Sequence, residues 1–162
     1  HLSIRRQRQM CIRDRTNTKD QRIGITFSTF DLFHAGHVKM IEEAKRQCDY
    51  LIVGLQLDPS LDRKDKNSPS QSIIERYIQL RGSKDIDEVI PYVSEQDLED
   101  ILRAFTIDVR IVGEEYKDKD FTGKAYCEAK GIEMYYNNRD HRFSSSGLRK
   151  QVQYANQKKK DA

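Results

Sequence analysis

Apolar and polar positions along the chain fall into alternating blocks of two kinds. Five short blocks have little polar interruption, as expected of strands that are covered on both faces. They are residues 23–28, 51–57, 87–91, 107–112 and 132–136. Between and after them, apolar residues recur at the three- and four-residue spacing of one helix face. This spacing predicts helices over residues 35–48, 72–82, 94–105, 121–130 and about 146–156.

A helix therefore separates each predicted strand from the next. This order predicts an α/β fold: a Rossmann-like, doubly wound, five-stranded parallel sheet with helices on both faces and right-handed crossovers. Sheets of this type bind ligands outside the carboxyl ends of the strands, where the strand order reverses. We therefore expect a ligand beside the first strand.

Residues 5–15 (RRQRQMCIRDR) do not fit this pattern. They resemble the in-frame translation of an adapter used in DNA library preparation, and such segments are set aside in reasoning about a fold. A genuine basic arm or a targeting peptide is the alternative. We expect residues 1–21 to be a non-native, disordered lead-in, residues 22–156 to form one domain, and residues 157–162 to be a polar tail.

Setting this segment aside changes the charge balance. The whole chain carries 29 basic and 26 acidic side chains, and the segment holds five of the arginines and one of the aspartates. The rest of the chain is thus nearly neutral, and no basic stripe points to a nucleic acid partner. Cys48 and Cys127 lack a disulfide framework pattern, which suits a reducing cytoplasm. No apolar run approaches the ~20 residues of a membrane span.

The first strand leads directly into residues 29–37 (TFDLFHAGH), where a helix is predicted to begin. His34 and His37 are three residues apart, on one face of the first helical turn. Gly36, between them, leaves room for a ligand to approach the backbone. Imidazoles can donate to phosphate oxygens, and a helix N-terminus adds partial positive charge. For the two histidines alone a packed pair of surface histidines is favoured over a phosphate site, and a zinc pair is a further alternative.

This stretch resembles the TFDxxHxGH signature of the cytidylyltransferase branch of the nucleotidyltransferase superfamily. The simplest members of that branch are the single-domain glycerol-3-phosphate cytidylyltransferases. The resemblance continues in register through Arg76, residues 87–91 (DEVIP), residues 112–116 (VGEEY) and residues 139–146 (RDHRFSSS). It covers residues 23–152.

The chain also departs from that family's pattern. Ser28 replaces the usual glycine before Thr29, and Arg142 stands where the late signature has glycine. Two glutamates at 114 and 115 replace two aspartates, and two serines at 145 and 146 replace two threonines. These changes bear on the identity of the substrate more than on the type of reaction.

The resemblance implies transfer of CMP from CTP to a phosphorylated alcohol, most simply sn-glycerol 3-phosphate, with release of pyrophosphate. It also implies Mg²⁺ carried by the triphosphate, no protein ligands to a metal, and a cytoplasmic homodimer. Two alternatives are an adenylyltransferase that uses ATP on a sugar phosphate, and a nucleotide-sensing module without catalysis.

The same resemblance assigns roles to residues of this chain. Catalytic roles fall to His34, His37, Lys64 and Arg139. Nucleotide contacts fall to Thr29, Phe30, His34, Gly36, His37, Gly113, Arg139, Ser144, Ser145 and Ser146. Acceptor contacts fall to Asp31, Lys66, Arg76 and Tyr116.

Several of these residues have a second interpretation. Asp31 could orient the histidine loop instead of contacting the acceptor, and Tyr116 could lie near the base. The lysines could belong to a solvated loop, Arg76 could contact the nucleotide or lie on a helix surface, and the serines could cap the last helix.

Overall fold

A computed structural model describes residues 21–138 and 143–160 of the chain. Its centre is a parallel sheet of five strands in the order β3-β2-β1-β4-β5. The strands are β1 Ile23–Ser28, β2 Tyr50–Gln56, β3 Glu88–Tyr92, β4 Val109–Gly113 and β5 Glu133–Asn137. The predicted doubly wound α/β fold is confirmed.

Five helices connect or follow these strands. They are α1 Ala35–Lys45, α2 Ile73–Arg81, α3 Glu95–Ala104, α4 Lys124–Lys130 and α5 Ser145–Lys160. Capping boxes begin two of them, at Ser72 for α2 and at Ser94 for α3, and each such cap satisfies backbone N–H groups that have no partner within the helix. The predicted bounds differ mainly at α1, which ends three residues earlier, at α4, which begins three residues later, and at α5, which is longer at its end.

The start of α4 is set by Gly123, whose backbone lies in the left-handed region (φ 79°). Only glycine adopts this conformation without strain, so the chain turns here before the helix begins. Gly131, also left-handed (φ 69°), ends the helix.

Apolar residues cover both faces of the sheet, in two clusters. Against one face pack Ile41 and Ala44 of α1 and Leu80 of α2. Against the other pack Leu98 and Leu102 of α3 together with Cys127 of α4. Cys127 and Cys48 are buried free thiols. Because side chains alternate along a strand, a single strand can contribute to both clusters, as β2 does with Leu51 and Val53 on one face and Ile52 on the other.

The strand order places a crevice at the edge of the sheet where the strands end. From β1 the chain moves through β2 to β3 on one side, and it then crosses to β4 on the other side of β1. The carboxyl ends of β1 and β4 therefore form the switch point at which such sheets bind ligands. Within the ranges given above, no helix has the length and apolarity needed to cross a membrane.

Candidate active site

The loop from β1 to α1 has an unusual backbone. Phe30 and Leu32 both have φ of 50°, in the left-handed region that non-glycine residues seldom adopt. Such residues cost roughly 1–3 kcal/mol each and persist only where their surroundings hold them. Phe30 is buried in the core beneath the loop, and the Leu32 N–H donates to the side chain of Gln71 over 2.8 Å.

Asp31, between these two residues, anchors the loop. Its carboxylate accepts hydrogen bonds from the backbone N–H groups of Ser70 and Gln71, both at 2.9 Å, and from Arg149 Nη2 at 2.5 Å. Burial opposes the ionised form, but these bonds and the Arg149 charge outweigh it, so the pKa of Asp31 lies below its usual value. Of its two expected roles, the structure displays loop orientation; an acceptor contact stays a prediction.

His34 is the N-terminal cap of α1. Its Nδ1 accepts a hydrogen bond from the Gly36 N–H at 3.0 Å. In the neutral imidazole the proton then resides on Nε2. That atom lies 3.2 Å from Ser145 Oγ, at the start of α5. The cap thus fixes the tautomer and aims an N–H group away from the helix.

His37 lies one turn further along α1, against His34. The two rings stack with their centroids 4.0 Å apart and an interplanar angle of 21°. Phe33 and Phe30 flank His37 at centroid distances of 5.7 and 5.3 Å. The packing leaves both imidazoles half-buried at the N-terminus of a helix, where hydrogen-bond donors and the helix dipole favour an anion.

The start of α5 lies beside the histidine loop. Ser144 Oγ accepts from the Gly147 N–H at 3.0 Å, which is the capping role given above as the alternative. Ser145 Oγ donates to the Asp31 carbonyl at 3.0 Å. Ser146 is exposed. Residues 29–37 and the serine segment, more than 100 positions apart, are therefore neighbours, while direct nucleotide contacts from the serines stay predictions.

Arg76 occupies a position that the sequence did not indicate. Its side chain is 2% exposed and donates to four main-chain carbonyls at 2.6–3.2 Å. These carbonyls belong to Thr29, Gln56, Leu57 and Gln71. The guanidinium thus joins the ends of β1 and β2 to the start of α2. This geometry excludes the surface arginine that was the alternative, and a contact with the acceptor or the nucleotide stays a prediction.

A cavity of about 650 Å³ opens at the carboxyl ends of β1 and β4. Four of the predicted site residues line it: Thr29, Lys66, Gly113 and Tyr116. The histidine helix contributes Met40. Lys64 is exposed on the loop after β2 and does not contribute to the lining. Arg139 and Arg142 lie outside the described residues, so the roles expected for them stay predictions.

Sequence reasoning missed many of the polar and aromatic residues that line the cavity, and five of them bear on the argument below. They are Gln56, Arg63, Tyr92, Glu95 and Arg110. Glu95 lies 3.7 Å from Arg63 Nε and accepts from Gln56 Nε2 at 3.4 Å. For Arg110 a signal existed, because a charged residue interrupts the otherwise apolar strand 109–112.

The donor set around the site is poor in ligands for a metal ion. In the described parts of the chain, no group of three or more His, Cys, Asp or Glu side chains is placed to hold a metal. Asp31 is already bound to Arg149 and to two N–H groups. Mg²⁺ carried by the triphosphate through phosphate oxygens and water stays a prediction.

Taken together, a parallel sheet with stacked histidines on a helix N-terminus beside its switch point defines an α/β protein of the nucleotidyltransferase superfamily. Residues 25–152 match the family model described as Cytidylyltransferase-like. The chain therefore belongs to the cytidylyltransferase-like family, and the resemblance seen in the sequence is confirmed.

Individual relatives agree with this assignment. The chain is 42% identical over 105 residues to glycerol-3-phosphate cytidylyltransferase of Bacillus spizizenii, covering 64% of this chain and 80% of that protein. It is 33% identical over 111 residues to the bifunctional protein HldE of Helicobacter hepaticus, covering 68% of this chain but 23% of that protein. A lipopolysaccharide core biosynthesis protein of Thermoplasma volcanium shares the fold, with a TM-score of 0.61, 20% identity and coverage of 74% and 99% of the two chains.

Proposed function

We propose that this protein transfers CMP from CTP to a phosphorylated alcohol, with sn-glycerol 3-phosphate as the acceptor, and releases pyrophosphate. The observation that carries the proposal is the 3.2 Å approach of His34 Nε2 to Ser145 Oγ. It brings the histidine motif and the serine segment, both named by the family resemblance, to one helix N-terminus. The 42% identity to a glycerol-3-phosphate cytidylyltransferase supports this choice of nucleotide and acceptor.

In the proposed reaction, a phosphate oxygen of the acceptor attacks the α-phosphorus of CTP. The new P–O bond forms as the bond from the α-phosphorus to the bridging oxygen breaks, and pyrophosphate leaves with that electron pair. A phosphate monoester is largely ionised near neutral pH, so the attack needs no strong base. The protein has to supply alignment and neutralisation of charge.

The residues near the histidines fit that task. The Nε2–H of His34 and the imidazole of His37 would donate to triphosphate oxygens, and the first turn of α1 would add partial positive charge. Asp31, held by Arg149, would keep the loop in its strained conformation. Mg²⁺ bound to the incoming triphosphate would neutralise part of its charge. Lys64, Lys66 and Arg139 stay proposed contributors.

A second candidate is transfer of AMP from ATP to a sugar phosphate. The similarity to the bifunctional protein HldE of Helicobacter hepaticus keeps the nucleotide open. The match to the Bacillus spizizenii enzyme is closer in identity and spans most of that protein, which favours CTP.

The experiment is a pyrophosphate-release assay with purified protein and Mg²⁺. CTP and ATP are each paired with sn-glycerol 3-phosphate, a hexose 1-phosphate, a heptose 1-phosphate and phosphocholine. We expect turnover with CTP and sn-glycerol 3-phosphate, with CDP-glycerol as the second product. Turnover with ATP alone would replace this function by the second candidate. No turnover with any pair would favour a sensor without catalysis.

A further inference from the structure

Arg110 lies deep in the cavity, on the sheet face that α3 and α4 cover. It is 4% exposed and is the second residue of β4. Its Cα lies three residues before Gly113, at the strand's end, and therefore about 10 Å back from it, at ~3.3 Å per residue. Thr29, at the start of the loop that leads to the histidines, lines the same cavity. The backbone of Arg110 is thus set back from the sheet edge where the histidine loop begins.

Few protein groups satisfy this buried cation. Its Nη1 donates to the Thr122 carbonyl at 2.7 Å and approaches Cys127 Sγ at 3.9 Å. The rings of Phe27 and Phe121 lie 5.3 and 5.0 Å from its guanidinium carbon. Its Nε is buried and has no hydrogen-bond acceptor among the described residues. Burial lowers its pKa.

Glu95, an acidic side chain whose charge acts on Arg110, is engaged elsewhere. Glu95 pairs with Arg63 and accepts from Gln56. A buried guanidinium without a carboxylate partner is costly, and stability alone gives no reason for it. The backbone also fits closely around it: a Cβ on Gly123 would lie 2.7 Å from Arg110 Nη1.

We propose that Arg110 is the specificity-determining residue for the acceptor, and that it binds the hydroxyl oxygens at the end remote from the reacting phosphate. This inference rests on the proposed function and names its acceptor class as a phosphorylated polyol. The cavity suits hydroxyl groups, which both donate and accept. Arg110 offers donors, and the Glu95 carboxylate offers an acceptor.

The charges of the cavity favour a neutral polyol end over a carboxylate. Its charged lining residues are three cations and three anions: Arg63, Lys66, Arg110, Glu95, Glu115 and Asp120. These charges balance, and a hydroxylated chain, which is uncharged, does not need a site with a net charge. An acceptor without distal hydroxyls would leave Arg110 buried and unpaired, and a site built for polar groups rejects such an analogue strongly.

The test compares two acceptors of equal chain length, sn-glycerol 3-phosphate and propyl phosphate, in wild type and in Arg110→Met. For wild type we expect kcat/KM to fall about 10- to 100-fold when the hydroxyls are removed, the scale of hydrogen bonds to a charged group. Arg110→Met should lose a similar factor toward sn-glycerol 3-phosphate and less than about 3-fold toward propyl phosphate. The KM for CTP should not change.

Arg103→Met is the matched control, because Arg103 also stacks on an aromatic ring, 5.2 Å from Tyr126, yet does not line the cavity. It should behave as wild type with both acceptors. Circular dichroism checks folding. If Arg110→Met does not fold, Arg110→Lys replaces it, since lysine keeps the charge and lacks the planar fork of donors.

The outcomes separate this inference from the proposed function. If the Arg110 variant keeps wild-type turnover, or loses the same factor with both acceptors, the role of Arg110 is overturned. CMP transfer is left intact by either result. A wild-type preference for 3-phosphoglycerate that Arg110→Met abolishes overturns the polyol class in favour of a carboxylate. Absence of wild-type turnover with every nucleotide and acceptor removes both proposals.

Discussion

Arg149 and Asp31 are 118 residues apart in the chain, and Arg149 Nη2 lies 2.5 Å from Asp31 Oδ2. This ion pair joins the last helix to the loop between β1 and α1. Ser145 strengthens the connection by donating to the main-chain carbonyl of the same aspartate. The position of α5 and the conformation of the histidine loop are therefore coupled.

Breaking this ion pair should lower activity more than stability. In Arg149→Met, Asp31 keeps its two backbone N–H donors, and the arginine side chain is 37% exposed. We therefore expect a loss of about 1 kcal/mol in the free energy of unfolding, given the small worth of partly exposed pairs. Since misplacement of aligned groups is costly, kcat/KM should fall about 10-fold or more.

Lys150→Met is the control, because Lys150 is exposed on the same helix. Urea denaturation and pyrophosphate release are measured on both variants. Equal activity in Arg149→Met and wild type would show that α5 does not position the loop.

The stability of the protein should depend on pH through Asp31. Its pKa in the folded protein is lowered from a usual value near ~3.9. The unfolded chain therefore binds the proton more readily, and stability from this group is present above that value. It is lost as the pH falls through the lower, folded pKa. The difference in unfolding free energy between wild type and Asp31→Asn should thus be largest near neutral pH and shrink in acid.

Urea denaturation between pH 7 and pH 3 measures this difference. Asp65→Asn, in the exposed loop after β2, serves as the control and should show a constant small difference. A gap for Asp31→Asn that stays constant or widens in acid would be incompatible with a lowered pKa.

Replacing Arg76 should destabilise the whole protein and not the site alone. Arg76→Met leaves four main-chain carbonyls without their donor, and unsatisfied buried groups cost about 1–3 kcal/mol each. We expect a loss of about 3 kcal/mol or more in the free energy of unfolding. Arg81→Met, at the exposed end of the same helix, should lose less than about 0.5 kcal/mol. A stable Arg76→Met protein with only a raised acceptor KM would contradict this structural role and support the acceptor contact expected from the sequence.

Replacing the two serines at the start of α5 should have different effects, one mainly on stability and the other mainly on activity. Ser144→Ala removes a cap and should cost about 1 kcal/mol in unfolding free energy. Ser145→Ala removes the contacts with His34 and the Asp31 carbonyl and should lower kcat/KM about 10-fold. Thermal denaturation and turnover are compared in both. Unchanged turnover in Ser145→Ala would remove this serine from the site.

The sequence was sufficient for the strand and helix order, because apolar periodicity and caps such as Ser72 and Ser94 are local signals. The doubly wound topology then followed from the alternation of elements. Residues 29–37 were identified because their motif is contiguous.

The rest depended on contacts between distant parts of the chain. Arg76 lies on a helix of mixed polarity, and nothing local indicates that four carbonyls converge on it. The left-handed backbone of Phe30 and Leu32 is likewise imposed by partners near residues 70 and 149. Arg110 did carry a local signal, a charge within an apolar strand. It belongs to none of the motifs from which the site was predicted, and it was therefore missed.

The most direct measurement is the turnover of His37→Ala with CTP and sn-glycerol 3-phosphate, beside wild type and Val38→Ala. Val38 is the next residue of α1 and is exposed, so its variant should retain wild-type turnover. The account predicts that His37→Ala lowers kcat at least ~100-fold while the protein stays folded, the scale of losing an electrostatic contact to developing charge. A folded His37→Ala protein with near-normal kcat would contradict it.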